Sequence, residues 1–223
     1  GGIGLVACQK YAGGIASGLE YLHLCGVCHL DLKPANILVD QDGTVKLADF
    51  GTSRQTVNGA SFKNTAAVKI RGTIPFMAPE VCRSESQGFY SDVWSFGCTL
   101  LNLVNGRLPW AETGIREPLA LLFHIGAQAK VGPACLSSEA NADPQFCELL
   151  EKCFNRDPKA RPSIRTLRLM NFFLAPSPRN RKTSSRMSIG CTPSSHKLKH
   201  ASSLHSITSS SKNDSGSEKK FES

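Results

Sequence analysis

Apolar positions come round at helical spacing near the start of the chain, where Tyr11, Ile15, Leu19 and Leu22 recur at i, i+4, i+8 and i+11. That period predicts an amphipathic helix ending near Gly26, a natural C-terminal cap. The pattern then shortens. ILV at 37–39 and VKL at 45–47 flank the turn signal DQDG at 40–43, which predicts two strands joined by a hairpin. From 52 to 71 the periodicity fades into Ser, Thr, Asn and Gly, the mark of a long surface loop, and loops of that length are commonly functional. Ser91 is placed to cap a helix through DVWSFGCTLLNLVN, closed by Gly106 and followed by Pro109. Apolar residues run almost all the way round it, so a helix buried on every side is expected, the pillar of a helical domain. Further helices are predicted over about 118–129, 143–154 and 163–173, with RDPKARPS as the loop before the last. The chain should be mainly α with a small β-hairpin.

Charge divides the chain in two. Residues 175–223 carry nine Lys or Arg against three Asp or Glu, so most of the formal charge of +8 lies there and 1–174 is nearly neutral. That stretch is rich in Ser, contains Pro176, Pro178 and Pro193, and holds few large apolar groups. It cannot bury enough surface to offset chain entropy, so we read 1–174 as the folded domain and 175–223 as a basic, disordered tail. A near-neutral domain gives no reason to expect specific nucleic-acid binding; the tail's charge suits at most weak contact with acidic membranes or RNA. RNRKTSSRMS at 179–188 also sets Arg181 three residues before Ser184 and Arg186 two before Ser188, a pattern that basic-directed kinases modify and that a solvated linker produces by accident.

The longest apolar stretch, 96–104, is interrupted by Gly97, Thr99 and Asn102 and falls short of the about 20 residues a bilayer span needs. GGIGLVACQK at the N-terminus has no basic leader and no long apolar segment, so no secretory signal is expected, and without an initiator Met the true beginning is expected upstream. Nine cysteines, an odd number without regular spacing, read as reduced thiols, which places the protein in the cytoplasm first and the nucleus second.

CGVCHLDLKPANIL at 25–38 satisfies two motifs at once. Read from Cys25 to His29 it is C-x-x-C-H, the pattern for covalent haem attachment. That reading needs an exported chain and stands alone in the sequence, and short motifs of this kind arise by chance. Zinc is no better supported, because Cys25 and Cys28 lack a second ligand pair at finger spacing and Cys147 and Cys153 read as two inward residues of one helix. Cys25 and Cys28 are expected to be small buried hydrophobes. Read from His29 onward, Asp31, Lys33 and Asn36 share one loop, and Asp49 of DFG follows across the hairpin. Phosphoryl transfer needs a carboxylate to accept the proton of an attacking hydroxyl, hard oxygen ligands for Mg²⁺ and a cation on the moving phosphate. Asp31, the pair Asn36 and Asp49, and Lys33 fill those roles in order.

With these residues the sequence resembles a protein kinase. HLDLKPANIL is similar to the catalytic loop, DFG to the magnesium loop, GTIPFMAPE to the end of the activation segment, SDVWSFGC to the pillar helix and RDPKARPS to the late loop, all in family order. The resemblance covers about 8–174 and implies the C-terminal, helical lobe of the protein kinase-like fold, with ATP and Mg²⁺ as cofactors. It implies that Leu38 lies beneath the adenine, that Glu80 pairs with Arg161, that Asp92 holds the catalytic loop and that His29 packs beneath it. Lys33, with Thr73 after Gly72, matches the serine/threonine type, so the implied partner is a protein substrate with a Ser or Thr acceptor, alongside an upstream kinase or scaffold. GTIPFMAPEV is closest to kinases at the top of MAP kinase cascades.

Two departures matter. Leu30 stands where most kinases have an Arg that meets an activation-loop phosphate, so activity is expected not to depend on that clamp, although Ser61 and Thr65 are candidate phosphosites and Lys63, Lys69 and Arg71 are nearby cations. The small lobe's glycine-rich loop, lysine strand and helix glutamate also have no counterpart: GIGLVA at 2–7 runs straight into a helix, and AVKI at 67–70 falls after Asp49. The expectation is therefore a serine/threonine kinase present as a partial domain and inactive in isolation, with a pseudokinase-like binding module as the alternative.

Overall fold

In the computed structural model, residues 1–56, 61–63, 72–127 and 132–174 are described, and all fall in one compact unit. Helix α1 (Leu5–Leu24) ends as predicted, with Gly26 at φ 74° just past its last turn and its N–H bonded to the His23 carbonyl. A short strand β1 (Val27–Cys28) follows, then the catalytic-loop segment and a tight turn at Pro34–Asn36. The predicted hairpin forms from β2 (Ile37–Val39) and β3 (Val45–Leu47), antiparallel with Ile37 opposite Leu47 and Val39 opposite Val45. It lies against α1 at Gly14, where a Cβ would sit 2.7 Å from the Val45 side chain, so only glycine lets the hairpin come this close.

The sequence expectation of a single hairpin needs correction. Among the described residues there are three two-stranded sheets, because β4 (Arg54–Gln55) pairs with β1 and β5 (Phe62–Lys63) pairs with β6 (Ser86–Gln87). The stretch read as one irregular loop thus carries two strands of two residues each, too short to leave any periodicity. Thr65, Lys69, Arg71 and the AVKI run lie outside the described residues, as do the tail and its serines.

After α2 (Pro79–Cys82) comes the pillar, α3 (Phe89–Asn105), on which every residue from Ser91 to Leu101 is buried. It begins earlier than Ser91: Gly88 is the N-cap, and Ser91 sits in the first turn, its hydroxyl accepting from the Gly88 N–H at 3.3 Å and donating to Glu80 at 3.1 Å. Its end is closed by Gly106 at φ 63°, and the Ile3 N–H satisfies the otherwise orphaned Leu103 carbonyl at 2.8 Å. Gly2 packs so tightly on Gly106 that neither has room for a Cβ, which is what the first glycine of GIGLVA does here.

α4 (Pro118–Ala127), α5 (Ser138–Asn141) and α6 (Pro144–Cys153) complete the middle of the domain, α6 capped by Asp143, which accepts from the Phe146 N–H at 2.8 Å. The last predicted helix is two, α7 (Ile164–Leu167) and α8 (Asn171–Leu174). Between them Leu169 and Met170 bond three residues back, a tightening that turns Phe172 onto Phe146 and leaves Leu169 exposed. The main core lies among α1, α3, α6, α7 and α8; a second one gathers α2 and α4 around Trp94, Cys98 and Trp110. No helix of the described residues is long and apolar enough to cross a membrane.

Candidate active site

The catalytic-loop segment is fixed from below by the pillar. Ahead of Asn102 and Asn105 near its end, α3 buries four polar residues, Ser91, Asp92, Ser95 and Thr99, and the first three spend their side chains on a neighbouring segment. The buried Asp92 carboxylate accepts from the His29 N–H at 2.9 Å and the Leu30 N–H at 2.8 Å. Ser95 donates to the Phe76 carbonyl at 2.8 Å, while the Thr99 hydroxyl gives its one proton to the Ser95 carbonyl of its own helix at 2.7 Å. Leu30 is thereby held at φ 64°, a left-handed conformation that costs a non-glycine residue about 1–3 kcal/mol and persists only where the surroundings impose it. Leu30 lines a small hollow together with Phe76, Met77 and Val81 and with the polar Gln87, Ser91 and Ser95.

This pinning delivers Asp31 into a polar cluster. Its Oδ1 accepts from the Thr73 N–H at 2.9 Å and the Thr73 hydroxyl at 2.8 Å. Its Oδ2 meets Lys33 Nζ at 2.6 Å, and the same ammonium reaches Thr73 Oγ1 at 2.7 Å. Asn36 donates from Nδ2 to the Asp31 carbonyl at 2.9 Å, which leaves its amide oxygen as a hard acceptor. Asp31, Lys33, Asn36 and Thr73 are therefore brought together, with Asp31 only 8% exposed.

Asp49 arrives by another route. The hairpin register continues past Leu47, with the Ala48 N–H on the Asn36 carbonyl at 2.9 Å, so the next residue stands beside the Asn36 turn. Asp49 has φ 61° and is exposed, its Oδ1 accepting the Gly51 N–H at 3.3 Å. Buried His29 ties this end to the loop: its Nε2 lies 3.1 Å from the Ala48 carbonyl and its ring 5.5 Å from that of Phe50. This contact occupies the nitrogen that an axial haem ligand would need. Cys28 is buried, and burial, then the charge of Asp92, pushes its thiol well up; Cys25 is exposed, against expectation, because it is the C-cap residue of α1 and faces outward. Cys153 is buried as expected and Cys147 half-buried.

Among the described residues no three His, Cys, Asp or Glu side chains form a group able to hold a metal. Magnesium does not require one, since it keeps several waters and is bound through one or two protein oxygens plus phosphate. The Asn36 amide oxygen and the open Asp49 carboxylate fit that demand. Leu38, 56% exposed on β2, and half-exposed Phe50 offer apolar surface beside them.

The supporting pair is also present. Arg161 forms a fork onto Glu80, Nη1 to Oε1 and Nη2 to Oε2 both at 2.7 Å, and adds bonds to the Tyr90 and Asn155 carbonyls. Both residues are buried, and the guanidinium lies 5.1 Å from the centre of the Trp94 ring. The sequence reading missed Ser91 as a partner of Glu80, and missed the Thr52 and Ser53 hydroxyls on the His29 carbonyl at 3.1 and 3.2 Å. It also missed His23, whose Nε2 lies 2.9 Å from Asp92 Oδ2.

The family model for the protein kinase domain matches residues 3–173. The chain belongs to the protein kinase family. It is 35% identical over 205 residues to mitogen-activated protein kinase kinase kinase 2 of Arabidopsis thaliana, covering 90% of this chain and 30% of that protein. Over 155 residues it is 37% identical to mitogen-activated protein kinase kinase kinase 17 of the same plant, covering 68% of this chain and 38% of the relative. Against MAP kinase kinase kinase mkh1 of Schizosaccharomyces pombe it is 36% identical over 152 residues, or 67% and 13% of the two chains. The chain is thus similar to MAP kinase kinase kinases, and it spans well under half the length of these relatives.

Proposed function

We propose that this chain supplies the acceptor-activating and magnesium-binding half of a serine/threonine protein kinase site, acting with ATP on a protein substrate in a kinase cascade. The observation that carries the reading is the closed cluster of Asp31, Lys33, Thr73 and Asn36, built on a loop that the pillar helix pins from below. Asp31 orients the acceptor hydroxyl and takes its proton. Lys33, already shared between Asp31 and Thr73, turns its charge to the phosphate being moved, and Thr73 holds Asp31 in plane from the activation-segment side. Asn36 and Asp49 hold the magnesium, which when bound neutralises the charge on the phosphates. Leu38 floors the adenine.

The described residues before His29 form one helix and a two-residue strand, so the glycine-rich loop, lysine strand and glutamate-bearing helix of a small lobe are not among them. We place the chain as the helical lobe, and the reading expects no appreciable catalysis from it by itself, because cooperating groups do not contribute separately. The test is phosphotransfer to a casein acceptor by a form of the protein that includes the small lobe. Replacing Asp31 by Asn should lower the rate by about 10²–10⁴. An unchanged rate would remove Asp31 as the base, whereas no phosphotransfer from the unsubstituted protein would leave the binding-module reading in its place.

A further inference from the structure

Two leucines outside the candidate active site, Leu169 and Leu174, are 71% and 64% exposed. The cause is local. The Leu169 N–H bonds to the Thr166 carbonyl and the Met170 N–H to the Leu167 carbonyl, so the turn between α7 and α8 buries Leu167 and Phe172 and leaves Leu169 and Leu174 outside. Cations stand on the same edge. Arg165 and Arg168 both pair with Glu20 of α1, so two guanidinium groups share one carboxylate, and the Arg165 side chain is 75% exposed. The sequence then adds more. Residues 175–213 hold Arg179, Arg181, Lys182, Arg186, Lys197, Lys199 and Lys212, with no Asp or Glu among them.

We propose that the α7–α8 edge and the basic run at 179–186 together form a docking surface for an acidic lipid bilayer. Clustered Lys and Arg are drawn to a negatively charged membrane, but only within a Debye length of it, and charge alone gives loose, reversible attachment. A second signal is needed beside the first, and exposed apolar groups that enter the boundary between headgroups and acyl chains supply it. Leu169 and Leu174 are such groups. The two signals stay close whatever path the chain takes, because the five residues from Leu174 to Arg179 span at most about 18 Å. Arg165 adds charge on the folded side of the junction. RNA fits this surface less well: a single strand is held by basic residues interleaved with aromatic rings on which bases stack, and 175–213 contain no Phe, Tyr or Trp. The surface is independent of the phosphotransfer reading and adds a place of action to it.

The test is co-sedimentation of the whole 223-residue chain with phosphatidylcholine vesicles and with vesicles containing about a third phosphatidylserine, over a series of salt concentrations. Binding to the acidic vesicles is expected, weakening as salt rises, with little on phosphatidylcholine alone. Each cation near an acidic surface is worth about fivefold, so replacing Arg179, Arg181, Lys182 and Arg186 by Gln should cost at least about a hundredfold in affinity. Leu169→Gln with Leu174→Gln should cost about tenfold, leave the salt dependence in place and, since both side chains are exposed, leave the thermal midpoint where it was. Leu174→Trp gives a separate readout: its emission should be quenched by brominated acyl chains in acidic vesicles, while Trp94 and Trp110, both buried, should not respond. Failure to bind acidic vesicles, equal binding to both kinds, full affinity in the double leucine variant, or no quenching in the Leu174→Trp protein each overturns the proposal. Tighter binding to polyuridine than to acidic vesicles at the same salt also overturns it and makes RNA the partner.

Discussion

Asp31 precedes one short hairpin and Asp49 follows it, and the chain treats them in opposite ways. Asp31 is nearly closed off, with both oxygens occupied by Lys33, Thr73 and Asn36 and its loop held by Asp92. Asp49 is exposed, and its carboxylate accepts one bond, from its own turn. A base must be aimed before its acceptor arrives, so its geometry is fixed by groups that stay in place. A ligand for a hydrated cation must leave room for waters and phosphate, so it is left open. The comparison predicts that changes around the first aspartate disturb stability and chemistry together, and changes at the second disturb chemistry alone.

The largest expected effect lies in the frame behind Asp31. Glu80→Ala leaves Arg161 buried without its fork partner, and removing one member of a buried pair costs about 3–5 kcal/mol. Denaturant unfolding of the whole chain should show the unfolding free energy falling by that amount, as a lower midpoint with the slope retained. A loss below about 1 kcal/mol would mean that the pair is hydrated and that the frame is not what holds the loop.

Asp49→Asn is the opposing case. The same unfolding experiment should show a change within about 0.5 kcal/mol, because the side chain is exposed and makes no long-range bond. Its chemistry should suffer. With Mn²⁺ as the probe ion, paramagnetic broadening of the Asn36 side-chain amide and the Gly51 backbone amide is expected in the parent chain, and at least about tenfold more ion should be needed in the variant. Equal broadening in both would remove Asp49 as a ligand. A stability loss like that of Glu80→Ala would erase the difference between the two regions.

The same contrast explains what was legible beforehand. Asp31, Lys33 and Asn36 share one loop, and the hairpin that delivers Asp49 has apolar runs and a turn signal of its own, so local pattern sufficed. Thr73 lies 42 residues from Asp31 and was reachable only through the family resemblance. The bonds that fix the loop left no trace, because His23, Ser91, Thr52 and Ser53 act on backbone or buried carboxylates of distant segments, and a polar side chain aimed inward has no period. Cys25 was misread for a related reason: apolar character suggests burial, but the turn that ends α1 decides which way the residue faces. The break between α7 and α8 was hidden because Leu169 and Met170 continue the apolar texture while the backbone tightens.

The smallest effect lies at the hairpin tip, where the open region titrates. The Thr44 N–H, 2.8 Å from Asp40 Oδ1, is the main cause holding the Asp40 carboxyl below its ordinary range, with Lys46 at 3.4 Å and the Asp42 N–H adding to it. A carboxyl whose folded value is lowered gives stability that is present above its unfolded value and fades as pH falls through the folded one, so any contribution of Asp40 disappears on the acid side. The Thr44 and Asp42 amide shifts should follow that titration, while the Thr73 amide, bonded to Asp31, should not report it. Salt should weaken the Lys46 share and leave the Thr44 share, since exposed ion pairs are screened and a direct hydrogen bond much less so. Asp40→Asn keeps acceptors for both amides and should abolish the titration while preserving the turn; Asp40→Ala should loosen both. If acidification through the Asp40 range moved the Thr73 amide in the parent chain and not in the Asn variant, the tip and the catalytic cluster would be coupled, and the division between an aimed region and an open one would fail.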